Sequence, residues 1–236
     1  MMMPLRAAPR ILAFDTSTQR GSVALLEGQE VRAEFRLYSP QTHSTLLLDT
    51  IRLLLDRLQW TLNDVNLVAV GTGPGSFTGI RIGVATALGI AQMLDISIAG
   101  ISGLEVLAYQ ARQFDGCIGV VLDAHRSQVF YAEYASNKGR IRQSQKSTLL
   151  DISDLERRFK NRHLYIVGDA GVCRIKGAGA ASSAWPRLVS TDLFLAAGIG
   201  QLAFARKNRW RSGDFVLSEP MYIRPPDALR NKRRKR

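Results

Sequence analysis

A glycine-rich turn between an apolar strand and an apolar helix is the first pattern that could do chemistry, because such turns hold phosphate groups in many proteins. The turn lies in the sequence VAVGTGPGSFTGIRIGVATALGIAQ. It lacks the lysine of a P-loop, and Ser76 stands where a dinucleotide-binding fingerprint needs its third glycine. Pro74 also removes a backbone N–H donor. The pattern predicts at most weak anion binding, and Gly71, Gly73 and Gly75 are interpreted as residues that shape the turn.

Two aspartates and three histidines are the other residues whose types could support catalysis or metal binding. Asp15 and Asp123 each follow a predicted strand. They would act together in an enzyme if they face one cleft, whereas aspartates at hairpin ends more often form turns; both interpretations stay open here. His43, His125 and His163 show none of the helical pair spacings that are typical of zinc sites, so no metal site is expected from them.

The elements that must position these residues follow from the hydrophobic pattern. Strands are predicted at residues 11–14, 22–27, 31–37, 67–71, 97–101, 117–123, 128–135, 140–146 and 164–167. Helices are predicted at residues 42–58, 77–93, 104–113, 151–159 and 191–207, and residues 176–184 are interpreted as a loop. Strands followed by helices occur twice, which favours two α/β lobes. The predicted division is an N-terminal lobe at residues 1–105, a smaller lobe at 106–225 and a tail at 226–236.

Two of the predicted helices carry apolar residues on more than one face. In the helix at 77–93, a core face is expected at Phe77, Ile80, Val84, Leu88 and Ala91. A second stripe of mostly small residues comprises Gly79, Gly83, Thr86, Ala87 and Ile90, and the helix at 42–58 has a separate edge at Leu46, Thr50 and Leu53. Either the two helices cover each other, or their outer edges form an exposed patch that binds a protein partner.

Charge, hydropathy and cysteine content indicate which kinds of partner, location and redox chemistry to expect. The formal net charge is +12, and a basic tail supplies six of the positive charges, at Arg230, Lys232, Arg233, Arg234, Lys235 and Arg236. Such a tail is typical of a solvated, disordered end, or of an arm that contacts RNA phosphates without reading sequence. The chain has no run of eighteen apolar residues and no signal peptide, so a soluble cytoplasmic protein without membrane contact is expected. Cys117 and Cys173 are expected to be reduced and structural.

Five segments together carry a resemblance to a known family. They are ILAFDTSTQRGSVAL, HSTLLLDTIRLLL, the glycine-rich segment quoted above, VVLDAHRSQVFYAEY and EPMYIRP, and they extend in order over most of residues 10–225. The chain closely resembles the TsaB family, the bacterial partner subunit in threonylcarbamoyladenosine modification of tRNA. The glycine-rich segment is specific when it is joined to the N-terminal DTST hairpin.

The resemblance implies an α/β fold of the actin/Hsp70/sugar-kinase-like (ASKHA) class with two βββαβα-type lobes, the second reduced. It also implies a protein that is not the catalyst but binds the related transferase subunit TsaD, together with the ATPase TsaE. In the family the two helices pack against equivalent helices of TsaD, or against a second TsaB copy when TsaD is missing. This places the interface on Leu46, Thr50, Leu53, Gly79, Gly83, Thr86, Ala87 and Ile90.

The chain departs from the active members of that superfamily at both phosphate loops. Their first loop has the pattern D-x-G, whereas this chain has Asp-Thr-Ser beginning at Asp15; their second is glycine-rich, whereas this chain has Asp-Ala-His-Arg beginning at Asp123. The metal-binding histidines of TsaD have no counterparts. No cofactor, bound ATP or metal is therefore expected. The competing hypothesis is an active enzyme, sugar-kinase-like or M22 metallopeptidase-like, that uses Asp15 and Asp123.

Overall fold

The computed structural model describes residues 8–38, 46–159, 162–169, 186–206 and 215–216. The chain divides into two compact units. Unit 1 comprises Met1–Thr72, Thr78–Ile101 and Phe194–Pro220, and unit 2 comprises Gly73–Phe77, Ser102–Leu193 and Met221–Arg236. Five sequence-based expectations lie outside the described residues: the helix start at 42–45 with His43, Cys173, the loop at 176–184, the EPMYIRP segment and the basic tail.

The described residues form eleven strands and five α-helices. The strands are β1 (Arg10–Asp15), β2 (Arg20–Glu27), β3 (Glu30–Tyr38), β4 (Leu67–Gly71), β5 (Ser97–Ile101), β6 (Gly116–Asp123), β7 (Gln128–Asn137), β8 (Arg140–Asp151), β9 (Leu164–Gly168), β10 (Arg187–Leu188) and β11 (Phe215–Val216). The helices are α1 (Leu47–Arg57), α2 (Phe77–Leu94), α3 (Gly103–Gln110), α4 (Ile152–Phe159) and α5 (Ala196–Ala205).

Unit 1 is built on a sheet with the strand order β11-β5-β4-β1-β2-β3. The first three strands pair antiparallel, while β1, β4 and β5 run parallel. Every residue of β4 and β5 is buried, as expected for strands that read as continuous apolar runs. Because β1, β4 and β5 run parallel, their carboxyl ends lie at the same edge of the sheet, and the loop after β1 lies beside the end of β4.

Both faces of this sheet are covered by helices. Leu12 and Phe14 point from β1 into a core cluster that also contains residues of α1 and α2. Ala13, between them, points to the opposite face and contacts the position of Gly200 on α5. Since successive side chains of a strand alternate between faces, α1 and α2 lie on one side of the sheet and α5 lies on the other.

Unit 2 repeats the plan on a sheet with the strand order β10-β9-β6-β7-β8. The strands β6, β7 and β8 form an antiparallel meander, and β9 runs parallel to β6. One core cluster is centred on Tyr131 and Phe159, whose rings lie 5.7 Å apart, and it includes Leu155 of α4. The three-strands-then-helix order predicted from the sequence is thus present in both units.

The last long helix differs from the sequence-based division. Residues 191–207 were assigned to the second lobe, but α5 packs in unit 1, where Gly200 lies against Ala13 and Leu26. The physical reason is that the free face of the β1–β2 ladder is apolar and needs a cover, and chain order does not reveal which helix supplies it. The two-residue strands β10 and β11 were not predicted because they are too short to show a period.

Candidate functional site

The loop after β1 is folded inward. Asp15, Thr16 and Ser17 are 1%, 5% and 2% exposed, and Ser17 donates its backbone N–H to Asp15 Oδ1 at 3.2 Å. Gly71, at the end of β4, allows the carboxylate to come this close, because a Cβ at that position would overlap Asp15 Oδ1. A pocket of about 20 Å³ lies beside Asp15 and Thr16 and has room for about one water molecule.

Thr16 ties this loop to α2. Its hydroxyl donates a hydrogen bond of 2.7 Å to the carbonyl oxygen of Gly79, in the first turn of the helix. One turn further on, a Cβ on Gly83 would lie 2.5 Å from Thr16 Oγ1 and 3.5 Å from Val70 Cγ2. The small residues of α2 therefore let the helix axis approach the ends of β1 and β4.

This packing corrects the helix face predicted from the sequence. Gly79, Gly83, Ala87 and Ile90 were placed on a docking stripe, but all four are buried within unit 1. Val84 and Leu88, which were placed on the core face, are only partly buried. The prediction was wrong for these four residues, whereas Ile80 and Ala91 of the predicted core face are buried as expected. Both stripes of α2 are apolar, so periodicity alone cannot identify the stripe that faces the sheet. The smaller side chains turned inward since they permit the closer approach.

The remaining members of the predicted interface fall into three groups. Thr50 of α1 is 7% exposed and belongs to the interior, and Thr86 of α2 is half-buried. Leu46, just before α1, and Leu53, seven residues later, are 47% and 46% exposed. Sequence reasoning therefore found two exposed leucines of the surface described next, on the helix where the charged and apolar faces were distinguishable.

Four exposed apolar side chains lie on or next to α1 and α2. They are Leu46, Leu48, Leu53 and Met93, and Leu48 and Met93 are 61% and 65% exposed. We call these four residues the helix surface. Leu48 and Met93 were missed from the sequence; the available signal was an apolar residue among the exposed charges of α1, or at the end of α2.

The turn between β6 and β7 carries Asp123, the second aspartate considered for catalysis. Its Oδ1 accepts the backbone N–H of His125 at 2.7 Å, which is the local hydrogen bond of a turn-forming aspartate. His125, Arg126 and Ser127 all have positive φ, at 60°, 56° and 59°, a conformation that costs free energy for residues other than glycine. Asp123 thus has the turn-forming role that was one of its two interpretations. Asp15 belongs to unit 1 and Asp123 to unit 2, and a shared cleft stays a prediction.

A charged cluster on the sheet of unit 2 was not foreseen. Glu133 of β7 is 7% exposed and accepts bonds of 2.7 and 2.9 Å from Arg162 and of 2.6 Å from the Tyr131 hydroxyl. The Arg162 hydrogen bonds lower the pKa of Glu133 to about 2, against the opposing effect of burial. Burial raises the pKa of the neighbouring Cys117, which is a free thiol as predicted. The cluster fixes the segment after α4 to the sheet.

One helix also meets the length and composition criteria of a membrane span. Within the described residues, α2 is eighteen residues long with a mean hydropathy of 1.4. Core helices of soluble proteins have the same properties, and six residues of α2 are buried in unit 1. No group of three His, Cys, Asp or Glu side chains suited to a metal ion occurs within the described part of the chain.

Comparison with known proteins gives consistent matches. The family model described as "TsaD: tRNA N6-adenosine threonylcarbamoyltransferase" matches residues 38–168. The tRNA threonylcarbamoyladenosine biosynthesis protein TsaB of Bacillus subtilis is 40% identical over 133 residues, 56% of this chain and 58% of that protein. TsaB of Buchnera aphidicola subsp. Schizaphis graminum is 35% identical over 164 residues, 67% of this chain and 78% of that protein. The chain thus spans under two thirds of the Bacillus relative's length.

Solved structures agree on the fold. The crystal structure of an uncharacterized Pseudomonas aeruginosa protein with similarity to peptidase YeaZ is 26% identical, with a TM-score of 0.71, and covers 92% of this chain and 100% of that one. Component A of the (R)-2-hydroxyglutaryl-CoA dehydratase from Acidaminococcus fermentans is 10% identical, with a TM-score of 0.51, over 85% of this chain and 100% of that one. The latter shows the fold alone, and the predicted ASKHA fold class is confirmed.

Proposed function

This chain belongs to the TsaB family, within the wider family that the TsaD model describes, and from that premise we propose that it is a partner subunit in tRNA modification. In this proposal it binds and activates a TsaD-like subunit, which transfers the threonylcarbamoyl group to adenosine in tRNA. A TsaE-like ATPase joins the complex. The chain itself is not the catalyst, and the complex works in the cytoplasm.

The observation that carries the proposal is the incomplete burial of α2. The helix has Arg81 as its single charged residue, yet only six of its eighteen residues are buried within the chain, and Ile82, Val84 and Leu88 are partly exposed. A helix of this kind needs a cover on its outer side as well. The helix surface adds Met93 of α2 and three exposed leucines on or next to α1. Large exposed apolar side chains of this kind indicate a protein interface.

The proposed interface on α2 therefore lies on the exposed side of the helix and not on the stripe expected from the sequence. It keeps Leu46 and Leu53 from the sequence-based set and adds Leu48 and Met93, together with the exposed positions Thr78, Arg81, Ala85, Gly89 and Gln92. The buried Gly79, Gly83 and Ala87 act indirectly, since they set the depth at which α2 lies on the sheet. In the absence of a TsaD-like subunit, the same surface would be covered by a second copy of this chain.

A non-catalytic role is supported by the loop after β1. Ser17 stands where the D-x-G pattern has a glycine, and it is buried, with its backbone N–H donating to Asp15 Oδ1. Thr16 is also buried, and its hydroxyl donates to the Gly79 carbonyl of α2. Within the described parts of the chain, no specific contact favours the alternative enzyme that uses Asp15 and Asp123.

The test is a binding titration between this chain and its TsaD-like partner. Leu53→Glu is expected to leave the chain folded, because the side chain is half-exposed, and to weaken binding at least tenfold, since burying one leucine contributes about 1.5–3 kcal/mol. Arg32→Gln is a matched control that also changes the charge by one unit, at an exposed strand position outside both helices.

Binding of the control should equal that of the wild type. Unchanged binding of Leu53→Glu and of a Leu48→Glu/Met93→Glu variant would refute the assignment of the helix surface. The basic tail at residues 230–236 stays a separate proposal for tRNA contact, tested by deleting it and measuring the salt dependence of tRNA binding.

A further inference from the structure

The hairpin of unit 2 carries an uninterrupted basic segment. Residues 138–146 read KGRIRQSQK and contain Lys138, Arg140, Arg142 and Lys146 without an acidic residue. All four basic residues are exposed. The residues between them are mostly glutamine and serine, which donate and accept hydrogen bonds. A charged edge strand protects a sheet from aggregation, but a row of like charge also forms an anion-binding surface.

The strand register shows which face of the sheet the hairpin arginines occupy. Arg140 pairs with Asn137 and Arg142 pairs with Ala135, and cross-strand partners share a face of the sheet. Glu133 lies two residues before Ala135 on β7, so it points to the same face. The two arginines therefore extend the face that holds the Glu133 cluster.

Among the described side chains around Glu133, the positive charges outnumber the negative ones. Arg158 and Arg162 both surround Glu133, with nitrogen-to-oxygen distances of 3.6 and 2.7 Å. One carboxylate thus faces these two guanidinium groups, and Arg140 and Arg142 lie beyond it towards the hairpin turn. Because the pKa of Glu133 is about 2, its charge is constant at neutral pH and the excess stays positive.

The hairpin arginines also differ from the two exposed arginines of β3. On β3, Arg32 lies 3.3 Å from Glu30, and Arg36 lies 2.7 Å from Glu34. Within the described residues, by contrast, no side chain forms an ion pair or hydrogen bond with Arg140 or Arg142. Their guanidinium groups are available to an external anion.

We propose that this hairpin face, formed by Arg140 and Arg142 with Lys138 of the adjoining turn, binds the phosphate backbone of tRNA. Guanidinium groups bind phosphates with two parallel hydrogen bonds, and such contacts position RNA without reading its sequence. A protein partner is disfavoured because interface cores need apolar anchors, and the large exposed apolar side chains of the described residues all lie in unit 1. The inference rests on the proposed function for the identity of the RNA as tRNA.

The test compares two double substitutions in the full chain, with and without the TsaD-like partner. Arg140→Gln/Arg142→Gln removes two charges from the hairpin face, and Arg32→Gln/Arg36→Gln removes two charges from β3. Binding of unmodified tRNA is measured by fluorescence anisotropy between 50 and 200 mM KCl. For the hairpin variant, the log–log salt slope should become shallower by about two, so affinity should fall roughly tenfold less over that range. The β3 variant should keep the wild-type slope.

Three outcomes would overturn the proposal. Equal slope changes in both variants would show an effect of total charge alone, and an unchanged slope in the hairpin variant would show a solvated surface. Weaker binding of the TsaD-like partner with an unchanged tRNA slope would assign the face to a protein. Partner binding by the wild-type chain is recorded in the same samples. If the wild-type chain binds the partner but the salt slope of the hairpin variant is not as predicted, only this inference fails. If the wild-type chain does not bind the partner but the salt slope changes as predicted, the proposed function fails instead.

Discussion

Replacing Gly83 by alanine tests the orientation of α2 directly. In an exposed helix this substitution stabilises by about 1 kcal/mol, because alanine has the higher helix propensity. Here the new Cβ would lie 2.5 Å from Thr16 Oγ1, which already bonds to the Gly79 carbonyl at 2.7 Å. Either the helix shifts, or Thr16 rotates and its buried hydroxyl loses the hydrogen bond to the Gly79 carbonyl. Gly89, six residues later, is exposed with no atom within 4 Å of its Cβ position, and it is the matched control.

The two substitutions are expected to change the free energy of unfolding in opposite directions. Overpacking costs about 1–3 kcal/mol, and the propensity gain offsets about 1 of these, so Gly83→Ala should lower the free energy of unfolding by up to about 2 kcal/mol. Gly89→Ala should raise it by about 1 kcal/mol. Urea unfolding followed by circular dichroism measures both. Equal stabilisation by the two substitutions would refute the packing described for α2 and restore the outward stripe inferred from the sequence.

Two further predictions concern unit 2 and α5. Because the pKa of Glu133 is held at about 2, below its ordinary value of 4.5, its ion pair should stabilise the fold above pH 4.5 and be lost as the pH falls towards 2; Glu133→Gln should flatten this part of the acid unfolding curve, and an equally steep curve would contradict it. Gly200→Ala should destabilise by about 1–3 kcal/mol, since its Cβ would overlap Leu26 in unit 1; an unchanged urea midpoint would show that α5 does not pack on β2.

The strands β4 and β5 were predictable because they are buried throughout. β4 and β5 have the bounds expected from their apolar runs, and the antiparallel hairpins were indicated by glycine turns. The facing of α2 was not predictable. Its apolar residues surround the helix, so the choice between stripes depends on the contact between Gly83 and Thr16, 67 positions apart in the chain. At α1, where charged residues mark the solvent side, the sequence predicted two of the exposed leucines, Leu46 and Leu53.

Long-range polar contacts were equally hidden. Glu133 and Arg162 are separated by 29 positions, and nothing in either local sequence distinguishes a buried carboxylate from a solvated one. The basic hairpin, in contrast, was visible as a row of residues, but its significance depends on the register that places Arg140 and Arg142 on the Glu133 face. The Glu133–Arg162 contact and the face of the hairpin arginines depend on strand register and packing, which residue type alone does not reveal.

The central claim is that this chain supports tRNA modification as a partner through its helix surface. The most direct measurement is a reconstituted reaction with its TsaD-like and TsaE-like partners, in which threonylcarbamoyladenosine formation on tRNA is followed over time. Product should form with the wild-type chain, fall with Leu53→Glu in proportion to lost binding, and stop when the chain is omitted. Undiminished product formation without the chain would contradict the account.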